Sequence, residues 1–135
     1  TELKINVQGM QEIIKKFKFK NNAIVLNAPK AIVEELVKLN FKTKFDKGVK
    51  SSNTLVFINN SQEYVHFLKN DLERIEPDSV LWFAYPKGTS KIKTDINRDS
   101  IRLKGEEFGI TTVTAISIDS TWSALRFRPI DRVGK

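Results

Sequence analysis

Thr112-Val113-Thr114-Ala115-Ile116-Ser117-Ile118-Asp119-Ser120-Thr121-Trp122-Ser123-Ala124-Leu125-Arg126-Phe127 is the stretch that decides the fold. The last two strands read from about Thr112 to Ile118, where β-branched residues dominate, and from Trp122 to Phe127. Only Asp119-Ser120-Thr121 separates them. A parallel crossover needs a dozen or more residues, so these strands must pair antiparallel, as a hairpin.

Upstream the pattern changes. Val80-Leu81-Trp82-Phe83-Ala84-Tyr85, Leu55-Val56-Phe57-Ile58 and Ala23-Ile24-Val25-Leu26 are continuous apolar runs, suited to strands covered on both faces. Phe41 to Phe45 reads as a further short strand. Helical stripes lie between them. Met10, Ile13, Ile14 and Phe17 recur at helical spacing within residues 1–21, with Lys15, Lys16 and Lys18 turned outward. Ile32, Leu36 and Leu39 form a second stripe, introduced by Pro29 at a position that tolerates a missing N–H. Asn60 and Glu63 predict a capped start for a third, continued by Val65, Leu68, Leu72 and Ile75 and broken at Pro77-Asp78. Pro86 to Asp99 reads as a polar loop, after which Ser100 caps a short helix that Gly109 ends. Strand and helix in alternation predict a mostly parallel sheet with helices on both faces, closed by the C-terminal antiparallel hairpin. Asp46 to Asn53 is polar but too short to separate domains, so residues 1–135 read as a single α/β domain with the first helix packed on it.

Composition narrows the chemistry. Apolar residues make up 40% of the 135 and charged residues 29%, a globular balance. The absence of cysteine removes disulfides, thiolate metal sites and cysteine nucleophiles. The lone histidine, His66, makes a zinc site or a serine–histidine relay a poor fit and, lying between apolar positions of its helix, reads as exposed. No paired carboxylates stand out as an acid–base couple, so no catalytic residue is assigned. No apolar run is long enough to span a membrane, and a cytoplasmic location is the expectation. The net charge of +7 is uneven: residues 1–50 and 81–135 carry surpluses of six and four cations, residues 51–80 an excess of three acids. That distribution could present a positive face to phosphate, but the lysines are scattered singly and read first as solubilising charge.

The doubly wound pattern with its closing hairpin resembles the Rossmann-like fold of class I S-adenosylmethionine-dependent methyltransferases. Leu72-Glu73-Arg74-Ile75-Glu76-Pro77-Asp78-Ser79-Val80-Leu81-Trp82 resembles their helix, turn and fifth strand, and Phe108-Gly109-Ile110 with the hairpin resembles their closing strand pair. About one strand–helix unit is missing. Tyr85-Pro86-Lys87, Lys93-Thr94-Asp95, Arg98-Asp99-Ser100 and Thr121-Trp122-Ser123-Ala124-Leu125-Arg126-Phe127-Arg128-Pro129 also resemble motifs of a small bacterial family classed as a domain of unknown function. The first resemblance implies a fold, and the second a fold and a bacterial origin; neither implies a reaction.

Adenosyl and dinucleotide sites follow the first strand with a glycine-rich turn, which lets backbone approach the ligand. Here the turn is Asn27-Ala28-Pro29-Lys30-Ala31-Ile32, without glycine and with one N–H removed by Pro29, so no cofactor is expected. Asp46, 19 residues past Asn27, could accept from a ribose hydroxyl or merely open the Lys47-Gly48 turn. The better candidate is an anion site at the loop after Tyr85. Lys87, Lys91, Lys93 and Arg98 lie there among Gly88, Thr89 and Ser90, and suit a phosphorylated or carboxylate ligand. Arg126 shares a strand face with Trp122, Ala124 and Arg128, opposite Leu125 and Phe127. There it should meet Asp95, Asp99 or Asp119, a bound anion, or the sheet's open rim. The sequence thus favours a non-enzymatic binding domain with an anion-recognising surface of Lys87, Lys91, Lys93, Arg98 and Arg126. The alternative is a divergent S-adenosylmethionine-dependent methyltransferase. A nucleic-acid-binding module ranks third, since no aromatic stacking platform is evident.

Overall fold

In the computed structural model, which describes residues 7–134, helix and strand alternate as the apolar periodicity requires. The order is α1 (Val7–Phe17), β1 (Ile24–Leu26), α2 (Lys30–Lys38), β2 (Ser51–Phe57), α3 (Ser61–Asn70), β3 (Ile75–Pro86), α4 (Arg98–Glu106), β4 (Ile110–Ser117) and β5 (Trp122–Pro129). One five-stranded sheet runs β1-β2-β3-β5-β4. Two apolar layers cover it. Met10 and Phe17 of α1 and Ile32 and Leu36 of α2 pack over Val25, Leu55, Phe57, Val80, Trp82 and Ala124. Tyr64, Phe67 and Leu68 of α3 and Ile101 of α4 pack over Val56, Leu81, Phe83, Leu125 and Phe127 on the other face. Trp122 and Ala124 fall on the first face and Leu125 and Phe127 on the second, the alternation read along the last strand.

The sheet is parallel in only half its pairings. β1–β2 and β2–β3 are parallel, while β3–β5 and β5–β4 are antiparallel. The expected hairpin forms, and it inserts β5 rather than β4 next to β3. Burial decides that choice: Trp122, Ala124, Leu125 and Phe127 are buried, whereas Val113, Thr114, Ala115 and Ser117 tolerate the exposure of an edge.

Four local expectations are corrected. The strand at Phe41 to Phe45 shrinks to a single parallel bridge between Lys42 and Ile24. Residues four apart on a strand share a face, yet Phe41 packs into one core layer and Phe45 against the other, so the chain must twist between them. Because β2 holds one side of β1, Lys42 lies on its outer side. The chain therefore steps outward through α2 and returns before β2, which is why α2 and α3 occupy opposite faces; direct right-handed crossovers would put both on the same one. The third helix ends at Asn70, not at Pro77. Ile75 opens β3, and Pro77 and Asp78 sit in an irregular stretch where Ser51 pairs with Ile75 but Asn53 with Val80. That helix buries Tyr64, Phe67 and Leu68, with Val65 only half-buried, because the Tyr64 hydroxyl donates to the Ile101 carbonyl at 2.7 Å. Finally, Asn97 rather than Ser100 is the cap of α4. Its Oδ1 accepts from Ser100 N, and its own N–H donates to Ser100 Oγ, both at 2.9 Å.

Candidate ligand cleft at the carboxyl edge of the sheet

Beyond Leu26 the chain turns sharply at Asn27, whose φ of 61° lies in the left-handed region. Glycine is the usual occupant of such a position, and asparagine is among the few side chains that accept it. The elbow without glycine therefore still makes the turn. The sequence carried that signal in Asn27 itself. The side chain then locks the turn in place: Asn27 Nδ2 donates to the Phe57 carbonyl at 3.0 Å and to Glu63 Oε1 at 2.8 Å. This ties the ends of β1 and β2 to the first turn of α3. Pro29 follows as the residue before α2, and its carbonyl accepts from Ile32 N and Val33 N.

Against this elbow opens a cleft of about 710 Å³. Leu26, Asn27 and Phe57 form its sheet side, Glu63, His66 and Phe67 its helix side, and Lys44, Phe45, Asp71 and Arg74 its far wall. Arg74 stacks over the Phe45 ring, 4.4 Å from the centroid. That contact holds the returning segment 43–46 against the turn after α3. His66 is exposed, as read, and its Nδ1 lies 3.3 Å from Asn70 Nδ2. The lining is thus apolar at Leu26, Phe45, Phe57 and Phe67 and carries both signs of charge, at Lys44 and Arg74 and at Glu63 and Asp71. Ligands of open α/β sheets bind in this position, outside the carboxyl ends of the strands.

Asp46 is not part of the cleft. Its carboxylate pairs with Lys42 Nζ at 2.7 Å and its carbonyl accepts from Val49 N, the turn-opening role rather than the ribose role.

The loop after β3 crosses the end of β2. Thr94 Oγ1 donates to the Asn59 carbonyl, and Asp95 Oδ1 accepts from Ser61 N, both at 2.7 Å. An anion at the start of α3 would meet this carboxylate. Lys91, Lys93 and Arg98 are exposed and form no ion pair among the described residues. Lys87 lies at the root of the loop, its Nζ donating to Ser117 Oγ at 2.5 Å. Arg126 stands apart from these four. It faces Trp82 on one side and Thr114 on the other, four residues along β5 from the Trp122–Pro86 pair at the rim. It pairs with none of Asp95, Asp99 and Asp119, and among the described residues its buried Nε has no hydrogen-bond partner. The carboxylate it influences is Asp78, held below the usual carboxylate range by the hydrogen bond from Arg128 and, further, by the charges of Arg128, Arg132 and Arg126.

Among the described residues no helix is long and apolar enough to cross a membrane. No protein-family model matches the sequence, and no curated protein matches it. Solved structures do match the fold. An S-adenosylmethionine-dependent methyltransferase from Aquifex aeolicus superposes with a TM-score of 0.53 at 12% identity, covering 87% of each chain. A putative type 11 methyltransferase from Sulfolobus solfataricus gives 0.46 at 11% identity, over 93% of this chain and 82% of that one. The architecture is a methyltransferase-like Rossmann fold, built here on a five-stranded mixed sheet.

Proposed function

We propose that the cleft at the carboxyl edge of β1 and β2 binds an adenosyl ligand, and that the chain is a divergent S-adenosylmethionine-dependent methyltransferase. The observation that carries this reading is the coincidence of the cleft with the elbow after β1, where Asn27 supplies the left-handed turn in place of glycine. The fold shared with the Aquifex enzyme supports it. The residues present fit such a group. The apolar wall of Leu26 and Phe57 suits a base, and polar groups gather around Glu63 for the sugar. Bound S-adenosylmethionine supplies a methyl group on a sulfonium. What this chain's own residues contribute is binding and orientation: Asn27 holds the elbow open, and Phe45 with Arg74 closes the far wall.

Thermal denaturation with S-adenosylmethionine and S-adenosylhomocysteine tests it. A ligand that binds only the folded chain raises the midpoint in proportion to the logarithm of its excess over Kd. Hydrogen exchange should slow at residues 26–28 and 58–63. An unchanged midpoint at millimolar ligand sinks the reading.

A second reading rests on a separate observation. Lys91 and Lys93, on a loop rooted at Lys87, and Arg98, at the start of α4, are exposed and form no ion pair among the described residues, a surface fit for a phosphorylated or carboxylate ligand. Arg126 lies too far down β5 to complete it without rearrangement. Binding of inorganic phosphate or adenosine monophosphate that disappears in a Lys91→Ala/Lys93→Ala/Arg98→Ala variant supports this surface; binding that survives in the variant rejects it.

A further inference from the structure

We infer that Glu63 is the residue that recognises sugar hydroxyls in the cleft. The inference rests on the adenosyl reading and names which side chain selects the ribosyl moiety. Three donors converge on one oxygen of this carboxylate: Oε1 accepts from Asn27 Nδ2 at 2.8 Å, Asn59 N at 2.9 Å and Asn59 Nδ2 at 3.0 Å. Among the described residues nothing donates to Oε2. The carboxylate is therefore fixed at one end, by groups belonging to the ends of both β1 and β2, and keeps a full acceptor at the other. Glu63 lines the cleft, and Oε2 is the acceptor that its three hydrogen bonds leave for an occupant.

The other acids do not serve. Asp46 is committed to Lys42, and Asp95 to the start of α3. Asp71 lines the far end of the cleft, and among the described residues no hydrogen bond fixes its carboxylate. A prefixed carboxylate beyond the strand ends suits hydroxyl donors, because ordering it costs nothing further when the ligand arrives. Glu63 replaces the acid that the sequence placed at Asp46. It reaches the same edge from the helix after β2 instead of the segment after α2.

Calorimetric titration of the whole chain with adenosine and with 2′,3′-dideoxyadenosine tests the assignment. Adenosine should bind about ten- to a hundred-fold more tightly, the range expected for hydrogen bonds to a charged acceptor. In a Glu63→Gln variant the side-chain carbonyl still accepts from Asn27 and Asn59, so the elbow and the thermal midpoint should persist. The amide now presents a donor where an acceptor stood, and the preference for adenosine should fall to within about twofold. Equal binding of both nucleosides to the unmodified chain, or a Glu63→Gln variant that weakens both alike, overturns the role of Glu63 while leaving the cleft reading standing. Failure of the unmodified chain to bind either nucleoside, or S-adenosylhomocysteine, at millimolar concentration overturns both.

Discussion

Gly105 shows how one residue carries the packing of α4 on the sheet. A Cβ added there would lie 2.8 Å from the Phe127 ring and 2.9 Å from the Tyr64 hydroxyl, with the Ile110 carbonyl at 3.3 Å. Alanine would gain about 1 kcal/mol of helix propensity, but overpacking costs about 1–3 kcal/mol. Both rings are fully buried, and Tyr64 is tethered to Ile101, so neither can yield cheaply. Gly105→Ala should therefore destabilise the fold in urea titration; an unchanged or raised midpoint contradicts the contact. Trp82 makes a similar point on the opposite face. Its indole N–H donates to the Phe17 carbonyl at 2.9 Å, and its ring meets Phe17 edge-on at 5.1 Å, which docks the end of α1. Trp82→Phe keeps most of the ring but orphans a buried carbonyl, at a cost of about 1–3 kcal/mol. Chemical denaturation followed by circular dichroism reads that loss.

At the scale of elements, α4 depends on its capping box. Asn97→Ala removes the acceptor for Ser100 N and should cost about 1 kcal/mol. The check is the thermal midpoint, with Asn97→Asp as the conservative control that retains it. The irregular start of β3 is held differently. Asp78 takes a φ of 52°, and its carboxylate receives Arg128 Nε at 2.8 Å and Nη2 at 3.1 Å, a two-pronged contact from β3 to β5. The Arg128 hydrogen bond holds the Asp78 carboxyl below the ordinary carboxylate range. A folded-state pKa below the unfolded one stabilises the fold above the unfolded value, near pH 4, and the contribution is lost as pH falls through the lower folded value. An Asp78→Asn variant, which accepts the same backbone conformation, should lose less stability between pH 5 and pH 3 than the parent chain. Parallel acid curves for the two would show that the pair carries no proton linkage.

For the whole molecule, one sheet serves two apolar layers, so neither layer can melt alone. Trp82 and Trp122 both report on the first layer, while Ile101 and Phe83 belong to the second. Tryptophan fluorescence and far-ultraviolet circular dichroism should therefore give coincident unfolding transitions. Ile101→Ala, a truncation costing about 2–5 kcal/mol in the second layer, should move both together. A fluorescence transition left in place would mean the layers unfold separately.

How much was legible follows from the range of each signal. Alternation along a strand and helical stripes are local, so the buried runs, the face of Arg126, the first two helices and the forced hairpin could be read directly from residues. Asn27 could also have been read as a glycine substitute at the elbow. Other features depended on partners distant in sequence. Tyr64 became a core residue because Ile101, 37 positions away, accepts its hydroxyl proton. Phe41 to Phe45 failed as a strand because its two rings enter different layers. The cationic loop looked like one site in sequence, yet Arg126 lies four residues down β5 from its rim, and Asp95 already accepts from Ser61 N at the start of α3. The sequence by itself determined the α/β class and the antiparallel ending, because chain length and side-chain period are properties of contiguous residues. Only the tertiary structure decided that β5 lies beside β3, that Asp46 pairs with Lys42 and that Glu63 is held at the carboxyl edge of the sheet by Asn27 and Asn59. Those outcomes depend on which separated segments bury and hydrogen-bond one another.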